Sequence, residues 1–455
     1  MGNVPQLNTD ETLRVPRPIV NETGRSNGRL RSAILALPAA SRLVPVAYSF
    51  ADQGLAVGAT FLANVMLART QTKEEYGMFA LSYSLFTLLA GLHNSALLEP
   101  CTVYASGRYR NRFSEYLRLM VRINAFVGLL LSMVVLLVCL LLYWAAPQYV
   151  SRALLGLGLT AGVLLSGSFL RRVFYLQRQP AFAAQASLLS FVTVACALWL
   201  GAKAHLLNGF SIFIILALGW IAAGLGLGRK LALGPSGPSF LDLEPGYWRE
   251  HWKYSKWVLF TALVFQLTTQ GYYWIVAGFV SVKDVAGLRA IQMLVAPMDQ
   301  VFIAISFLVL PALAARYASN RMGSFLAFSK RYAMAVVTAT ALFALAVRIV
   351  GKPVMHWLYN GKFDDLAPML YVLAFLPLLM GIGNTMNDAL KATEHPKMVF
   401  YAYVCSGAAT LLGGIPLVIR FGLPGAVYGM LLSATAYTCA LAPSYFSTIY
   451  LKARH

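Results

Sequence analysis

Long apolar runs separated by short polar turns recur along almost the whole chain. A helix that crosses a bilayer needs about 20 mostly apolar residues. Twelve runs meet that need: Leu43–Leu67, Gly77–Leu98, Leu119–Trp144, Ala153–Leu170, Ala181–Gly201, Asn208–Leu227, Trp257–Val280, Gly287–Pro311, Tyr332–Val350, Leu366–Leu390, Val399–Ile419 and Gly425–Tyr445. The pattern predicts an all-α integral membrane protein with twelve transmembrane helices. Residues 43–227 form a first set of six and residues 257–450 a second. Between them, residues 228–256 contain the breaker run Gly234-Pro235-Ser236-Gly237-Pro238 and then aromatic and charged residues, which reads as a linker. Residues 1–42 are polar and basic, lack a signal-peptide apolar core, and read as a disordered tail with a short interfacial helix at Leu30–Leu37. Residues 451–455 form a polar end.

The second set begins like the first. Lys73-Glu74-Glu75-Tyr76-Gly77 is matched by Lys283-Asp284-Val285-Ala286-Gly287, and each glycine opens an apolar run that ends at a proline, Pro100 or Pro311. Tyr104-Ala105-Ser106 is matched by Tyr317-Ala318-Ser319, and Phe113 by Phe325. The offsets stay between 210 and 213 residues, so one six-helix bundle is repeated in parallel.

Composition agrees with a bilayer as solvent: 58% of residues are hydrophobic, 12% are charged, and mean hydropathy is +0.64. The net charge of +20 raises the question of nucleic acid, which its distribution answers. With the amino terminus cytoplasmic, 27 of the 37 Lys and Arg fall on cytoplasmic segments and 10 on the other side. That split follows the positive-inside rule and puts both termini in the cytoplasm. The charge is a topology signal, and no nucleic-acid partner is expected.

Candidate chemistry is sparse. No phosphate-binding loop, metal-ligand spacing or large outer loop stands out, so neither catalytic residues nor a metal or cofactor are expected. The five cysteines, Cys101, Cys139, Cys196, Cys405 and Cys439, show no paired spacing. What remains is charge within the spans, which is expensive there and therefore points to a wet or protein-lined interior. Asp52 lies in the first span, on a helical stripe with Thr60 and Asn64, and Arg69 follows it. The second span carries His93 and Asn94, the seventh Gln266, Gln270 and Tyr273, and the eighth Arg289, Gln292 and Asp299. Pro297 frees a backbone carbonyl in the eighth span and is the candidate hinge. These residues form the candidate substrate cavity; a stripe of Gln, Asn and Thr equally serves as glue between helices. Arg289 and Asp299 are about 15 Å apart along an ideal helix, too far to pair.

The two six-helix halves, the turn Glu75-Tyr76-Gly77-Met78-Phe79, the Gly287–Pro311 helix and Leu358-Tyr359-Asn360-Gly361-Lys362-Phe363 resemble the polysaccharide exporters. These are Wzx-type lipid-linked oligosaccharide flippases of the MOP exporter superfamily, which also holds the MATE drug/cation antiporters and the lipid II flippase. The resemblance covers roughly residues 43–450 and rests on turns and helix punctuation. It implies two bundles around a central cavity and alternating access. The implied cargo is an undecaprenyl-pyrophosphate-linked glycan, carried across a bacterial inner membrane for surface polysaccharide synthesis. A polysaccharide polymerase and chain-length machinery are the implied partners, and proton or sodium coupling is left open. Arg289 and Arg69 would face the pyrophosphate, and the lipid tail would leave between the first and eighth spans. Two other readings stand: a cation-coupled multidrug antiporter of the same fold, for which Asp52 also suits, and a membrane polysaccharide polymerase, which the short outer loops disfavour.

Overall fold

The computed structural model describes residues 39–106, 109–143, 148–231, 246–319, 322–393 and 395–447. The amino-terminal tail before residue 39, the linker between 232 and 245 and the last eight residues lie outside the described residues. Every described element is helical, and the helices make twelve passages. The first half holds α1 (Ala39–Thr70), α2 (Lys73–His93 continued by Asn94–Ser106), α3 (Phe113–Leu142), α4 (Gln148–Leu176), α5 (Pro180–Lys203) and α6 (Gly209–Leu227). The second holds α7 (Tyr247–Phe279), α8 in two pieces (Val282–Val295 and Pro297–Ala318), α9 (Met322–Tyr359), α10 in two pieces (Ala367–Leu373 and Leu376–Ala392), α11 (Pro396–Phe421) and α12 (Leu423–Tyr445). Nine are long and apolar enough to cross a membrane by length and composition among the described residues. The other three are α2, α7 and α8. The chain is a multi-pass membrane protein.

Proline explains where the helices differ from the apolar runs. The α2 run does not stop at Pro100: the helix widens into a π turn at Asn94–Leu98, the Glu99 N–H reaches Asn94 O, and the helix continues to Ser106. α11 repeats the device, with a π turn at Thr410–Gly414 ahead of Pro416. Each π turn shifts the ladder by one residue just before a residue that has no N–H to give. At Pro297 the strain is released differently, and α8 breaks at Ala296. The expected hinge position is thus a real interruption in the helix.

The repeat is visible in the helix caps. Thr72 accepts from the Glu75 N–H at the start of α2, and Ser281 accepts from the Asp284 N–H at the start of α8. Both pairs are 209 positions apart, one fewer than the Lys73–Lys283 match suggests. The capping hydroxyl, which satisfies an otherwise orphaned donor, sets the register.

α7 begins ten residues earlier than its apolar run. Arg249, Lys253 and Lys256 interrupt the hydropathy, yet Tyr247, His251 and Ser255 are buried on one face of the same helix. The Tyr247 ring packs on Tyr109 and Tyr116, and the Ser255 hydroxyl donates to Ala96 O at 3.2 Å. The end of the expected linker is therefore an amphipathic extension of α7 seated on the first half.

Buried side chains divide the molecule into two ends. At the Lys73 end, one continuous core draws on both halves, from Ala63, Leu67, Tyr76 and Phe79 to Tyr273, Ile291, Tyr359, Phe363 and Leu370. At the Arg112 end there are two separate cores, and Tyr247 of α7 joins the first of them. One is built on Leu98, Cys101, Tyr116 and Val173, the other on Leu313, Phe325, Leu390 and Tyr437. Close packing across the seam depends on missing side chains: a Cβ at Gly77 would overlap the Val282 carbonyl, and one at Gly91 the Gln266 amide. The halves share one large core at the Lys73 end, whereas at the Arg112 end the first-half core takes in only the start of α7.

Candidate functional site: a buried guanidinium at the seam

Arg289 sits on the second turn of α8, where α1, α2, α7 and α8 meet. Its Nε donates to Asn64 Oδ1 at 3.0 Å and its Nη1 to the Tyr273 hydroxyl at 3.2 Å. The Tyr83 and Tyr273 rings lie at 5.0 and 5.9 Å from the guanidinium carbon, within cation–π range. Tyr273 in turn donates to Gln292 Oε1, and the Asn64 amide donates to Thr60 O at 2.8 Å. None of the ion pairs among the described residues involves Arg289. The two bonds use two of the five N–H groups that a guanidinium carries. Among the described residues this half-buried cation has neutral partners, an arrangement able to pair with an anion.

The sequence-predicted residues divide into those that join this site and those that do not. Asn64, Tyr273, Arg289 and Gln292 come together from three helices and both halves. Asp52 does not join them. It is fully buried inside the first half, where Arg171 grips it with two bonds of 2.7 Å from Nε and Nη2. The Tyr175 and Ser187 hydroxyls add bonds of 2.7 and 2.5 Å, so the carboxylate has four donors from α4 and α5. The expectation of a cavity acid at Asp52 gives way to a buried ion pair that ties α1 to its own bundle.

His93 is likewise internal, hydrogen-bonded to Asn124 at 2.9 Å, with Asn124 donating to Ser166 at 3.0 Å. Asn94 accepts from Arg172 at 3.2 Å. Gln266 lies against Gly91, and the Gln270 carbonyl oxygen is buried without a partner. Asp299 is exposed on the opening turn of the second piece of α8, just beyond the break. Arg69 lies at the Lys73 end and donates to Trp357 O at 2.6 Å. Asp52 therefore does not share a polar face with Arg289.

Sequence reasoning missed three features. Arg171 lies just past Leu170, where the apolar run ends, yet α4 continues to Leu176 and carries Arg171 inward. Asp388 in α10 is buried and accepts from Ser306 at 2.8 Å and Tyr332 at 3.1 Å. A carboxylate near the end of an apolar run was the available signal for it. Lys362 is the third, and no pattern in its own span announced its partners. Among the described residues, no group of three or more His, Cys, Asp or Glu side chains is placed to hold a metal ion.

No family model and no curated protein matches the sequence. Solved structures do match. The chain resembles the inward-facing conformation of a multidrug resistance MATE family transporter of the MOP superfamily, with a TM-score of 0.74 and 9% identity, covering 88% of this chain and 95% of that one. The fold is that of the MOP transporters. A second match is the lipid II flippase MurJ in an inward closed conformation, with a TM-score of 0.64 and 14% identity, over 88% and 87% of the two chains. An outward-facing MATE transporter of the MOP superfamily matches with a TM-score of 0.57 and 10% identity, over 90% and 95%. The MOP fold bears out the two-bundle architecture. Its members here are transporters and a flippase, not enzymes, and at such identities the likeness extends to the fold alone.

Proposed function

We propose that this protein is an alternating-access flippase for an undecaprenyl-pyrophosphate-linked oligosaccharide, acting in a bacterial inner membrane with both termini cytoplasmic. The observation that carries the reading is Arg289, a cation at the seam between halves with no carboxylate among its described partners. A pyrophosphate presents planar sets of oxygens that match a guanidinium fork, and Tyr83 and Tyr273 offer faces on which sugar rings stack. Asp52 supports the same choice. A carboxylate already neutralised by Arg171 is poorly suited to hold a cationic drug or a coupling ion, which weakens the antiporter reading. The charge count assigns the Lys73 end to the outside. On that assignment the Arg112 end, where the larger cores are separate, faces the cytoplasm, consistent with the better likeness to an inward-facing neighbour. A lipid-linked unit would enter there, and a polymerase with its chain-length machinery would take it up on the far side.

Deleting the gene tests the reading. The expected result is loss of a surface or secreted polysaccharide, with lipid-linked repeat units accumulating on the inner leaflet. Normal polysaccharide with heightened dye or drug sensitivity would support the antiporter instead. Sidedness has its own test. A reporter fused after Lys256 or at His455 is expected to be cytoplasmic, and one near Lys203 or Lys362 to be outside. An exported reporter at His455 would overturn the assignment.

A further inference from the structure

At the Lys73 end two cations reach across the seam in opposite directions. α1 of the first half ends at Thr70, and its last carbonyls lack intrahelical partners. Lys362, from the turn after α9 of the second half, donates to Ala68 O, Gln71 O and Arg69 O at 2.7, 2.5 and 3.2 Å. An ammonium has three N–H groups, and all three are used. α9 ends at Tyr359, and Arg69 of the first half donates to Trp357 O at 2.6 Å while lying 5.9 Å from the Trp357 ring centre. Each half therefore supplies the positive charge that favours the carboxyl-terminal helix end of the other.

The turn that aims Lys362 is built for the purpose. Asn360 and Gly361 are both left-handed, with φ of 55° and 77°, a pairing that reverses the chain within two residues. His356 Nδ1 and Asp364 Oδ2, 2.6 Å apart, brace it from outside. Phe363, the next residue, is fully buried between Tyr76 of the first half and Tyr359 of the second, with ring centres 6.1 and 5.4 Å away. Burial and the nearby Lys73 charge lower the Lys362 pKa. By contrast Lys283–Glu74 at 3.0 Å and Lys73–Asp365 at 4.0 Å are exposed pairs that contribute little.

We propose that Arg69 and Lys362 form a reciprocal latch that selects the conformation closed at this end. The two caps sit on the same seam as Arg289, and Tyr359 joins them to it by donating to Ala290 O at 3.0 Å. Opening this end breaks all four bonds made by the two cations and strands carbonyls at two helix ends. Charge at positions 69 and 362 therefore sets the closed-to-open ratio, and the apolar contacts alone do not hold it.

The test reads conformation and is independent of what is transported. In the full chain with its five cysteines replaced by serine, spin labels are placed at Ala204→Cys and Lys352→Cys, exposed positions on opposite halves near this end. Pulsed electron–electron resonance in the parent is expected to give one short-distance population. Lys362→Gln and Arg69→Gln should each lower the closed-to-open ratio about ten-fold or more, since each removes charge-assisted hydrogen bonds. Lys362→Arg, which keeps the charge, should stay close to the parent. Thermal melting identifies any variant that does not fold, and Arg69→Gln then carries the test for Lys362→Gln. Unchanged distances in the folded Gln variants, or an equal shift in Lys362→Arg, would overturn the latch.

Discussion

Arg289→Ala is expected to reduce export of the lipid-linked unit by about a hundred-fold or more while leaving the inserted protein at its normal level. The magnitude follows from losing two charge-assisted hydrogen bonds to an anion, each contributing about 1.5–3 kcal/mol. The protein tolerates the loss because the partners left behind, Asn64 and Tyr273, keep Thr60 and Gln292 respectively. Arg289→Lys separates charge from shape. A lysine keeps the positive charge but loses the planar fork, so it should restore export only in part. Both variants are measured by the accumulated lipid-linked repeat unit together with membrane abundance. Parental export in Arg289→Ala, or full activity in Arg289→Lys, would remove Arg289 from the substrate path.

Asp52→Ala should act on stability first. Sequence reasoning places Asp52 in the cavity, where its loss would impair export without lowering protein level. The structure reverses that expectation, because removing the carboxylate leaves the Arg171 guanidinium, which is only 15% exposed, facing Tyr175 and Ser187 without its counter-charge. Breaking one side of a buried pair costs about 3–5 kcal/mol. The expected readouts are a lower melting temperature in detergent and reduced abundance in the membrane. Asp52→Ala combined with Arg171→Leu should recover much of the lost stability, since the stranded charge is then gone as well. If Asp52→Ala melts like the parent and loses export alone, the carboxylate belongs to transport, and the brace is the wrong account.

The two residues show why charge in a span is visible in a sequence while its role is not. Asp52 and Arg289 carry the same insertion cost and sit on comparable polar stripes, so hydropathy ranks them alike. They part in the folded chain because α4 runs six residues past its apolar run and swings Arg171 against Asp52. Among the described residues, Arg289 instead meets the Asn64 amide and the Tyr83 and Tyr273 phenols. Pairing of this kind spans 119 residues for Asp52 and 225 for Arg289 and Asn64. No local pattern encodes a separation of that length.

What the sequence determined by itself was everything governed by the solvent and by nearest neighbours. Twelve apolar runs, their division into two parallel sets and the break at Pro297 all follow from local rules. A backbone in hydrocarbon must satisfy its own hydrogen bonds, and proline cannot. The Thr72 and Ser281 caps belong to the same class, since each acts within three residues. Only the tertiary structure decided which polar groups meet. It placed Asp52 with Arg171, gathered Asn64, Tyr273 and Gln292 around Arg289, and sent Lys362 to the end of α1. The physical reason is that helices in a bilayer turn and slide against one another to close small gaps and pair the few charges they carry. Those fits are won by side chains hundreds of positions apart, at a seam where Gly77 and Gly91 let the two halves touch.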